Sequence, residues 1–191
     1  AFAFTKSEPI ISEIEYEIND IDHLTLNFDH SEINITANES DLILLRMEQK
    51  LKKGKANYCL HKFKKDHSSH TLKLSSEPEK SKLWGSQCSV ERKIAIQLGK
   101  GSVKNLLIKH AHGALSFDSG SYDEFTLNAS HTTVDISDLH AQKAKLEVHH
   151  GSLDIDVINV GELTVNGSHG SLNIDLATGQ KLEGEWHHGT V

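Results

Sequence analysis

Five histidines recur at one fixed spacing in the second half of the chain, and this spacing constrains the fold more than any other feature. Each stands 19 residues after the one before, and the column comprises His112, His131, His150, His169 and His188. The residues that follow them also recur, as in the segments 150–153 (His-Gly-Ser-Leu) and 169–172 (His-Gly-Ser-Leu). Because only 14 of the 191 residues are histidines, chance does not explain five successive matches. A fixed period of this length is typical of a repeat protein.

Apolar residues follow the same period at other positions of the repeat. Two columns after the histidines contain Leu115, Val134, Leu153, Leu172 and Val191, then Phe117, Ile136, Ile155 and Ile174. A second pair of columns contains Phe125, Ala144, Leu163 and Leu182, then Leu127, Leu146, Val165 and Gly184. Apolar and polar residues thus alternate in two short runs per repeat, which is the period of a β-strand and not of a helix. Gly, Ser, Asn and Asp, which favour turns, lie between the runs.

One 19-residue repeat cannot bury its apolar stripe alone, whereas stacked repeats bury one another's stripes and pair their strands. The sequence therefore predicts an all-β fold, a single-chain parallel β-solenoid, similar to a β-helix, of about seven 19-residue coils. Equivalent residues in neighbouring coils would lie about 4.8 Å apart, the spacing of paired strands. We expect residues 1–191 to form a single domain of this kind.

The same register extends to the first part of the chain with one interruption. His30 is followed at the same offsets by Ile33 and Ile35, then Ile43 and Leu45, and an earlier coil would contain Ile14, Tyr16, Leu24 and Leu26. The pattern resumes with Ile96, Leu98, Leu106 and Ile108 if residues 49–92 form one insertion. Within it, segments 57–64 and 70–74 are expected to pair as a β-hairpin beside the coils. Its lysine-rich run, residues 50–55, is expected to be a solvated face.

The two cysteines, Cys59 and Cys88, both lie in this insertion. We predict a disulfide that staples it, which requires an oxidising compartment; the alternative is two free thiols in the cytosol. The segment Ala1-Phe2-Ala3 has the small-x-small form left beside a signal-peptidase site. Together these features predict a periplasmic, outer-membrane-associated or secreted bacterial protein.

Charge excludes nucleic acid as a partner, and hydropathy excludes a membrane-spanning helix. The net charge of −7, from 27 acidic and 20 basic residues, gives no basic footprint for nucleic acid. No segment approaches the about 18 consecutive apolar residues that a membrane-spanning helix needs. The expected partners are therefore a cell-surface protein or a glycan, and no cofactor is expected.

The repeats at 146–155 (Leu-Glu-Val-His-His-Gly-Ser-Leu-Asp-Ile) and 163–174 (Leu-Thr-Val-Asn-Gly-Ser-His-Gly-Ser-Leu-Asn-Ile) carry a family resemblance. They resemble the bacterial putative-adhesin domains of unknown function, which are single-chain β-solenoids with repeats near this length. The resemblance covers residues 106–191 well and 11–48 loosely, and it does not cover the insertion. It implies an adhesin-like fold and no catalytic residues.

The histidine column has two interpretations. The imidazoles either stack and bond to the turn backbone, which is a structural role, or bind Zn, Cu or Ni together with His110, His149 and His187. Ligands of one zinc ion converge in a tetrahedron at about 2.0–2.1 Å from the metal, and an evenly spaced row is poorly shaped for this. A structural ladder is therefore favoured over the alternative, a divalent metal-binding envelope protein.

Acidic residues form a second repeated set, Asp118, Asp135, Asp154, Asp156 and Asp175. A solenoid enzyme acting on polysaccharides could use such acids in a groove, but no nucleophile, histidine and acid stand out among equivalent repeats. We therefore predict a non-enzymatic adhesin-like interaction or structural module. Unpaired strands at the solenoid ends could also mediate self-association.

Overall fold

A computed structural model describes residues 8–81, 87–99 and 103–191 of the protein. Its elements are β1 (Ile10–Glu17), β2 (His23–Asn38), β3 (Leu42–Lys53), α1 (Ala56–Cys59), β4 (His61–Ser68), β5 (Thr71–Pro78), β6 (Ser89–Gly99), β7 (Asn105–His149), β8 (Ser152–Ser168) and β9 (Ser171–His187). The predominance of strands confirms the all-β prediction. Within the described ranges, no helix is long and apolar enough to cross a membrane. The predicted export remnant at residues 1–3 lies outside them.

The second half of the chain stacks its strands in parallel with a register of one repeat. Val134 of β7 pairs with Leu153 of β8, which pairs with Leu172 of β9. The same register continues through the second apolar run, where Leu146 pairs with Val165. β7 continues through the corners at His112 and His131, whereas the corners at His150 and His169 separate β7 from β8 and β8 from β9. Residues with the same place in the repeat lie above one another in columns.

The sheet as a whole is mixed, so the prediction of a uniformly parallel solenoid fails at the N-terminal end. The strand order is β1-β3-β6-β2-β7-β8-β9, and both β1–β3 and β3–β6 are antiparallel. The turn after β2 explains the reversal. The Asn38 side-chain oxygen accepts bonds from the backbone N–H and the hydroxyl of Ser40, and its amide donates to the carbonyl of Leu42. This tight turn sends β3 back along the sheet.

The predicted register of the first coils also needs correction. Strand β2 supplies both apolar runs of one level, because Leu24 pairs with Leu106 and Ile33 with Leu115. Ile14 and Ile43 were expected in successive coils, but they lie on the antiparallel strands β1 and β3. A repeat period specifies position within a coil, but it does not specify which coils are neighbours when the chain leaves the stack and returns.

Two different strands pair with the edge of β2 that faces away from β7. β5 pairs in parallel with residues 23–27, and β6 pairs in parallel with residues 32–38. β4 and β5 form an antiparallel hairpin, His61–Ser68 against Thr71–Pro78. The limits predicted for the insertion, residues 49 and 92, fall inside β3 and β6. The division into a single domain with an insertion stays a prediction.

The apolar columns form one buried core through the stack. Side chains that face inward at successive levels, such as Leu26, Ile108, Leu127, Leu146 and Val165, are at most 3% exposed. Because alternate residues of a strand point to opposite faces, the intervening polar residues remain outside. Burial of these columns supplies the main stabilising free energy, since apolar area removed from water contributes about 25 cal/mol per Å².

Candidate functional site

Six imidazole rings stack face to face along one corner of the molecule. The ring centroids of His112, His131, His150, His169 and His188 are separated in turn by 4.8, 4.9, 4.7 and 5.2 Å. His30 of β2 extends the row, 4.6 Å from His112. Neighbouring planes are inclined by 4–24°. We call these six residues the histidine ladder; all of its rings are exposed to solvent.

A left-handed backbone at every rung positions the ladder. The φ angles of the six histidines are all positive, between 51° and 61°. Few side chains adopt this region, in which Asn, Asp and His are enriched among non-glycine residues. The turn directs each imidazole outward at the same angle, so that the rings of successive levels overlap. Repetition of one strained turn therefore builds the stack.

Close backbone approach at the same corner explains the glycines that follow the histidines. A Cβ atom on Gly151 would lie 2.0 Å from the carbonyl oxygen of Thr132, and one on Gly170 would lie 1.6 Å from that of Gly151. These distances leave no room for a side chain. Thus the recurring His-Gly pair combines a left-handed turn with tight contact between levels.

The ladder geometry does not provide a metal centre. The ligands of a tetrahedral zinc ion converge on one point, whereas the ladder rings stack evenly, with centroids separated by 4.6–5.2 Å. Across residues 8–81, 87–99 and 103–191, no group of three or more His, Cys, Asp and Glu residues could hold a metal ion.

The three histidines predicted to assist the ladder have different environments. His149 and His187 are exposed beside it; the Nδ1 atom of His149 lies 2.9 Å from the Ser168 hydroxyl, and His187 lies 3.7 Å from a Glu185 oxygen. His110 is instead buried, only 3% exposed, and its Nδ1 atom donates to the carbonyl of Phe28. Burial lowers the pKa of His110 because it penalises the charged form. His110 therefore belongs to the core.

A buried arginine joins the first rung to the hairpin region, and the sequence reasoning missed it. The Arg92 guanidinium donates to the side-chain oxygen of Gln49 at 3.0 Å and to the carbonyls of Cys59 and His30 at 3.3 and 3.4 Å. Burial lowers its pKa to about 10. Because these partners come from β3, α1 and β2, no local pattern of the sequence identifies the cluster.

The disulfide lies directly beside this arginine. Cys59 and Cys88 are joined with a sulfur–sulfur distance of 2.04 Å and a sequence separation of 29. Since Cys59 also accepts a bond from Arg92, the disulfide fixes one of the carbonyls that hold the guanidinium. The hairpin side of the molecule is thereby tied to the base of the histidine ladder.

A flat polar face lies next to the ladder and carries the predicted acidic set. Asp118, Asp135, Asp154, Asp156 and Asp175 are all exposed. The Asn173 amide donates to Asp154 at 3.0 Å and to Asp175 at 3.2 Å. Thr133, Ser152 and Ser171 occupy equivalent places in the paired strands of the same face. The acids are thus spread along a surface of hydroxyl, amide and carboxylate groups.

A cleft of about 420 Å³ adjoins the first rung of the ladder. It lies between β2 and the β4–β5 hairpin, and its lining includes Asp29, His30, His61, Lys64 and Glu77. The His61 ring is fixed by a 3.0 Å contact between its Nδ1 atom and the Ser76 hydroxyl. Groups of both charge signs and two imidazoles make this cleft polar.

A protein-family model matches most of the chain. The family model described as Toastrack DUF4097 matches residues 21–189. The chain belongs to this family. The predicted resemblance to bacterial putative-adhesin domains is therefore confirmed. No curated protein matches this Toastrack chain significantly.

Solved structures of other proteins resemble this chain at low sequence identity. A putative cell adhesion protein from Clostridium sporogenes ATCC 15579 is 13% identical, with a TM-score of 0.50 over 94% of this chain and 100% of that one. A putative adhesin from Parabacteroides distasonis ATCC 8503 is 10% identical, with a TM-score of 0.46 over 95% and 97%. A putative lipid binding protein from the same strain is 14% identical, with a TM-score of 0.32 over 93% and 97%. The likeness to the Clostridium sporogenes protein is one of fold alone.

Proposed function

We propose that this Toastrack chain is a non-enzymatic, adhesin-like binding module that holds a cell-surface glycan along the histidine ladder and the polar face beside it. The observation that carries the proposal is the exposed row of six evenly stacked imidazoles. A rigid surface that repeats at each level can make the same contact with each unit of a repeating polymer. Glycans have such repeats, and their hydroxyl groups pair with imidazole, carboxylate, amide and hydroxyl groups.

The row of contacts is proposed to arise from a solenoid of about seven 19-residue coils with modified strands at the N-terminal end. The parallel register supports this winding, since Ile136, Ile155 and Ile174 pair in succession. Stacked coils make the binding surface rigid before a ligand arrives. A rigid surface loses less conformational entropy on binding, which favours affinity.

An extracytoplasmic location fits this role. The Cys59–Cys88 disulfide is of a kind that persists in oxidising compartments such as the periplasm or the cell exterior. The solved structure with the same fold from Clostridium sporogenes is described as a putative cell adhesion protein. Both observations support a binding module that faces the cell envelope or its surroundings.

Binding to immobilised bacterial and host polysaccharides tests the proposal. We expect the triple variant His131→Asn, His150→Asn and His169→Asn to lose affinity by about tenfold or more, because three adjacent contacts disappear. Asparagine tolerates the left-handed turn, so the fold is preserved. The control, His67→Asn with His140→Asn, changes exposed histidines outside the ladder and is expected to bind as the wild type does.

The alternative of a polysaccharide-acting enzyme is tested with the same ligands. We expect no shortened product from any polysaccharide. Product formed by the wild type but not by alanine variants of Asp135, Asp154 and Asp156 would contradict the non-enzymatic assignment. Equal glycan binding by the wild type and the triple histidine variant would exclude the ladder as the contact surface.

A further inference from the structure

Charge is distributed unevenly along the chain, although its net value is only −7. Residues 50–73 contain eight lysines and one acidic residue. Residues 105–187, which form β7 to β9, contain instead four basic and 12 acidic residues. An acidic protein thus contains one strongly basic segment. Such a separation of charge creates a local positive potential that attracts an anionic partner.

Contacts between distant segments gather these lysines around the disulfide. The Gln49 side chain bonds to both backbone groups of His61, at 2.8 and 2.9 Å, which joins the end of β3 to the start of β4. The backbone N–H of Lys80 donates to the carbonyl of Asn57 at 3.0 Å, and the disulfide joins α1 to the residue before β6. We call residues 50–80 the basic region. Its exposed side chains include Lys52, Lys53, Lys55, Lys62, Lys64 and Lys80.

The carboxylates in and beside the basic region do not neutralise it. A Glu91 oxygen lies 3.0 Å from the ammonium group of Lys52. The hydrogen bond from Lys52 lowers the pKa of Glu91, and the nearby charges of Lys93 and Lys50 lower it further. The pKa of Glu77 is lowered in the same way by two lysines of β4. Each of these carboxylates is shared by more than one ammonium group, so an excess of positive charge remains.

The basic region lies at the base of the histidine ladder. The buried Arg92 guanidinium bonds to the carbonyl of Cys59 and to that of His30, the first rung. Strands β3, β5 and β6 lie on the side of β2 away from β7. The ladder therefore extends away from the basic region, in five steps of 4.6–5.2 Å between ring centroids. The molecule is positive at the base of the ladder and negative along the levels that follow.

We propose that the basic region docks the protein on an anionic lipid bilayer, with the histidine ladder directed away from the membrane. An anionic surface attracts the lysines and repels the acidic levels of β7 to β9, so both parts of the charge distribution favour the same orientation. This attraction acts within a Debye length, about 10 Å at about 0.1 M salt, and needs no shaped pocket. Docking of this kind leaves the ladder open to a glycan.

Two observations favour a bilayer over nucleic acid as the anionic partner. The disulfide within the basic region is typical of oxidising compartments, where membrane surfaces are present. The lysines also surround one end of the molecule, on β3, β4 and the segment after β5, and do not follow a single groove. A broad charged end fits an extended surface, because every lysine near the surface adds to the attraction.

Co-sedimentation with lipid vesicles tests the docking surface. We expect binding to vesicles of phosphatidylcholine with phosphatidylglycerol, no binding to phosphatidylcholine alone, and weaker binding as the salt concentration rises. The triple variant Lys55→Glu, Lys62→Glu and Lys80→Glu reverses three exposed charges of the basic region. It is expected to bind the anionic vesicles about tenfold more weakly or worse. Its glycan binding is expected to be unchanged, because the ladder is intact.

The triple variant Lys109→Glu, Lys143→Glu and Lys145→Glu is the matched control. It changes the net charge by the same amount at exposed lysines of β7. It is expected to bind the anionic vesicles as the wild type does, and melting curves of both triple variants report whether the fold is intact. Equal weakening of vesicle binding by the two folded variants would overturn the proposal.

Hydrogen exchange of the wild type on anionic vesicles needs no substitution and reports the orientation. We expect slower exchange in α1 and β4 and unchanged exchange in β8. Slower exchange in β8 with no change in β4 would overturn the orientation, and absence of binding to anionic vesicles would overturn the docking surface. Tighter binding to double-stranded DNA than to these vesicles at the same salt concentration would assign the basic region to nucleic acid instead.

Discussion

The imidazole of His30 lies flat against that of His112, with ring centroids 4.6 Å apart and planes within 4°. The two residues belong to β2 and β7, and strands β3 to β6 lie between them in the chain. Their contact shows that β2 and the start of β7 are adjacent levels of the parallel stack. The ladder therefore continues from β2 to β7 although the repeat is interrupted between them. Strands β3, β5 and β6, which interrupt it, lie on the side of β2 away from β7.

The left-handed turn of the ladder is expected to decide which substitutions it tolerates. His150 has a φ of 54°. His150→Val is expected to reduce the free energy of unfolding by about 1–3 kcal/mol more than His150→Asn, because a β-branched residue is strained in this region whereas Asn is not. Urea denaturation measures both. Equal destabilisation by Val and Asn would show that loss of the imidazole, not the turn, dominates.

Contact between levels is expected to make Gly170 irreplaceable. Gly170→Ala would place Cβ 1.6 Å from the Gly151 carbonyl oxygen, so the backbone must move. We expect a loss of unfolding free energy of about 2 kcal/mol or more, in the upper range for overpacking. The control is Gly184→Ala, whose Cβ would lie 3.1 Å from the nearest atom. A similar melting temperature for both variants would contradict this interpretation of the corner.

His110 is expected to make stability dependent on pH. Burial lowers its pKa below the ordinary 6.5, so the folded chain binds this proton more weakly than the unfolded chain. Its contribution to stability is therefore fully present above pH 6.5 and is lost as the pH falls below that value, by at most about 1.4 kcal/mol per pH unit.

The variant His110→Asn isolates this contribution. Its amide can still donate to the Phe28 carbonyl but does not titrate. Urea denaturation of both proteins from pH 8 to pH 5 should give a smaller pH-dependent loss for the variant. The difference at pH 8, where the imidazole is neutral, reports the packing effect alone. Parallel stability curves for the two proteins would exclude a role for His110.

The disulfide is expected to contribute substantially to stability. Cys59 and Cys88 are separated by 29 positions, so their bond restricts a long loop of the unfolded chain. Replacement of both by serine is expected to reduce the free energy of unfolding by about 2–4 kcal/mol. Calorimetry of the oxidised wild type, the reduced wild type and the variant checks this value. The reduced wild type and the serine variant should have equal free energies of unfolding. A variant as stable as the oxidised wild type would contradict the prediction.

Local pattern was sufficient to predict the regular half of the molecule. The period of 19 and the alternation around Leu153 and Leu163 predict strands that stack in register, because each coil must bury its stripe against the next. The six-membered ladder could also have been found. The spacing of Leu24, Leu26, Phe28, His30 and Ile33 matches that of Leu106, Ile108, His110, His112 and Leu115 without a gap. The two segments are offset by 82 residues, which is not a multiple of 19.

Several functional features depend on contacts between distant segments. Arg92, Gln49 and the Cys59 carbonyl meet only after β3, β6 and α1 have assembled. Burial of His110 likewise depends on the position of Phe28 in a neighbouring strand. Such contacts have no signature in sequence spacing, because each partner alone is an ordinary residue of its own strand or helix.

The sequence by itself determined the strand period, the inward and outward residues and the rows of like side chains, since these follow from a repeat that cannot be buried alone. The tertiary structure decided which levels are neighbours and that β1 and β3 run antiparallel. The physical reason is that a chain leaving a parallel stack can return at any level with a free edge. The level at which the chain returns depends on long-range pairing and burial, as where Ile33 pairs with Ile94 on one side and Leu115 on the other.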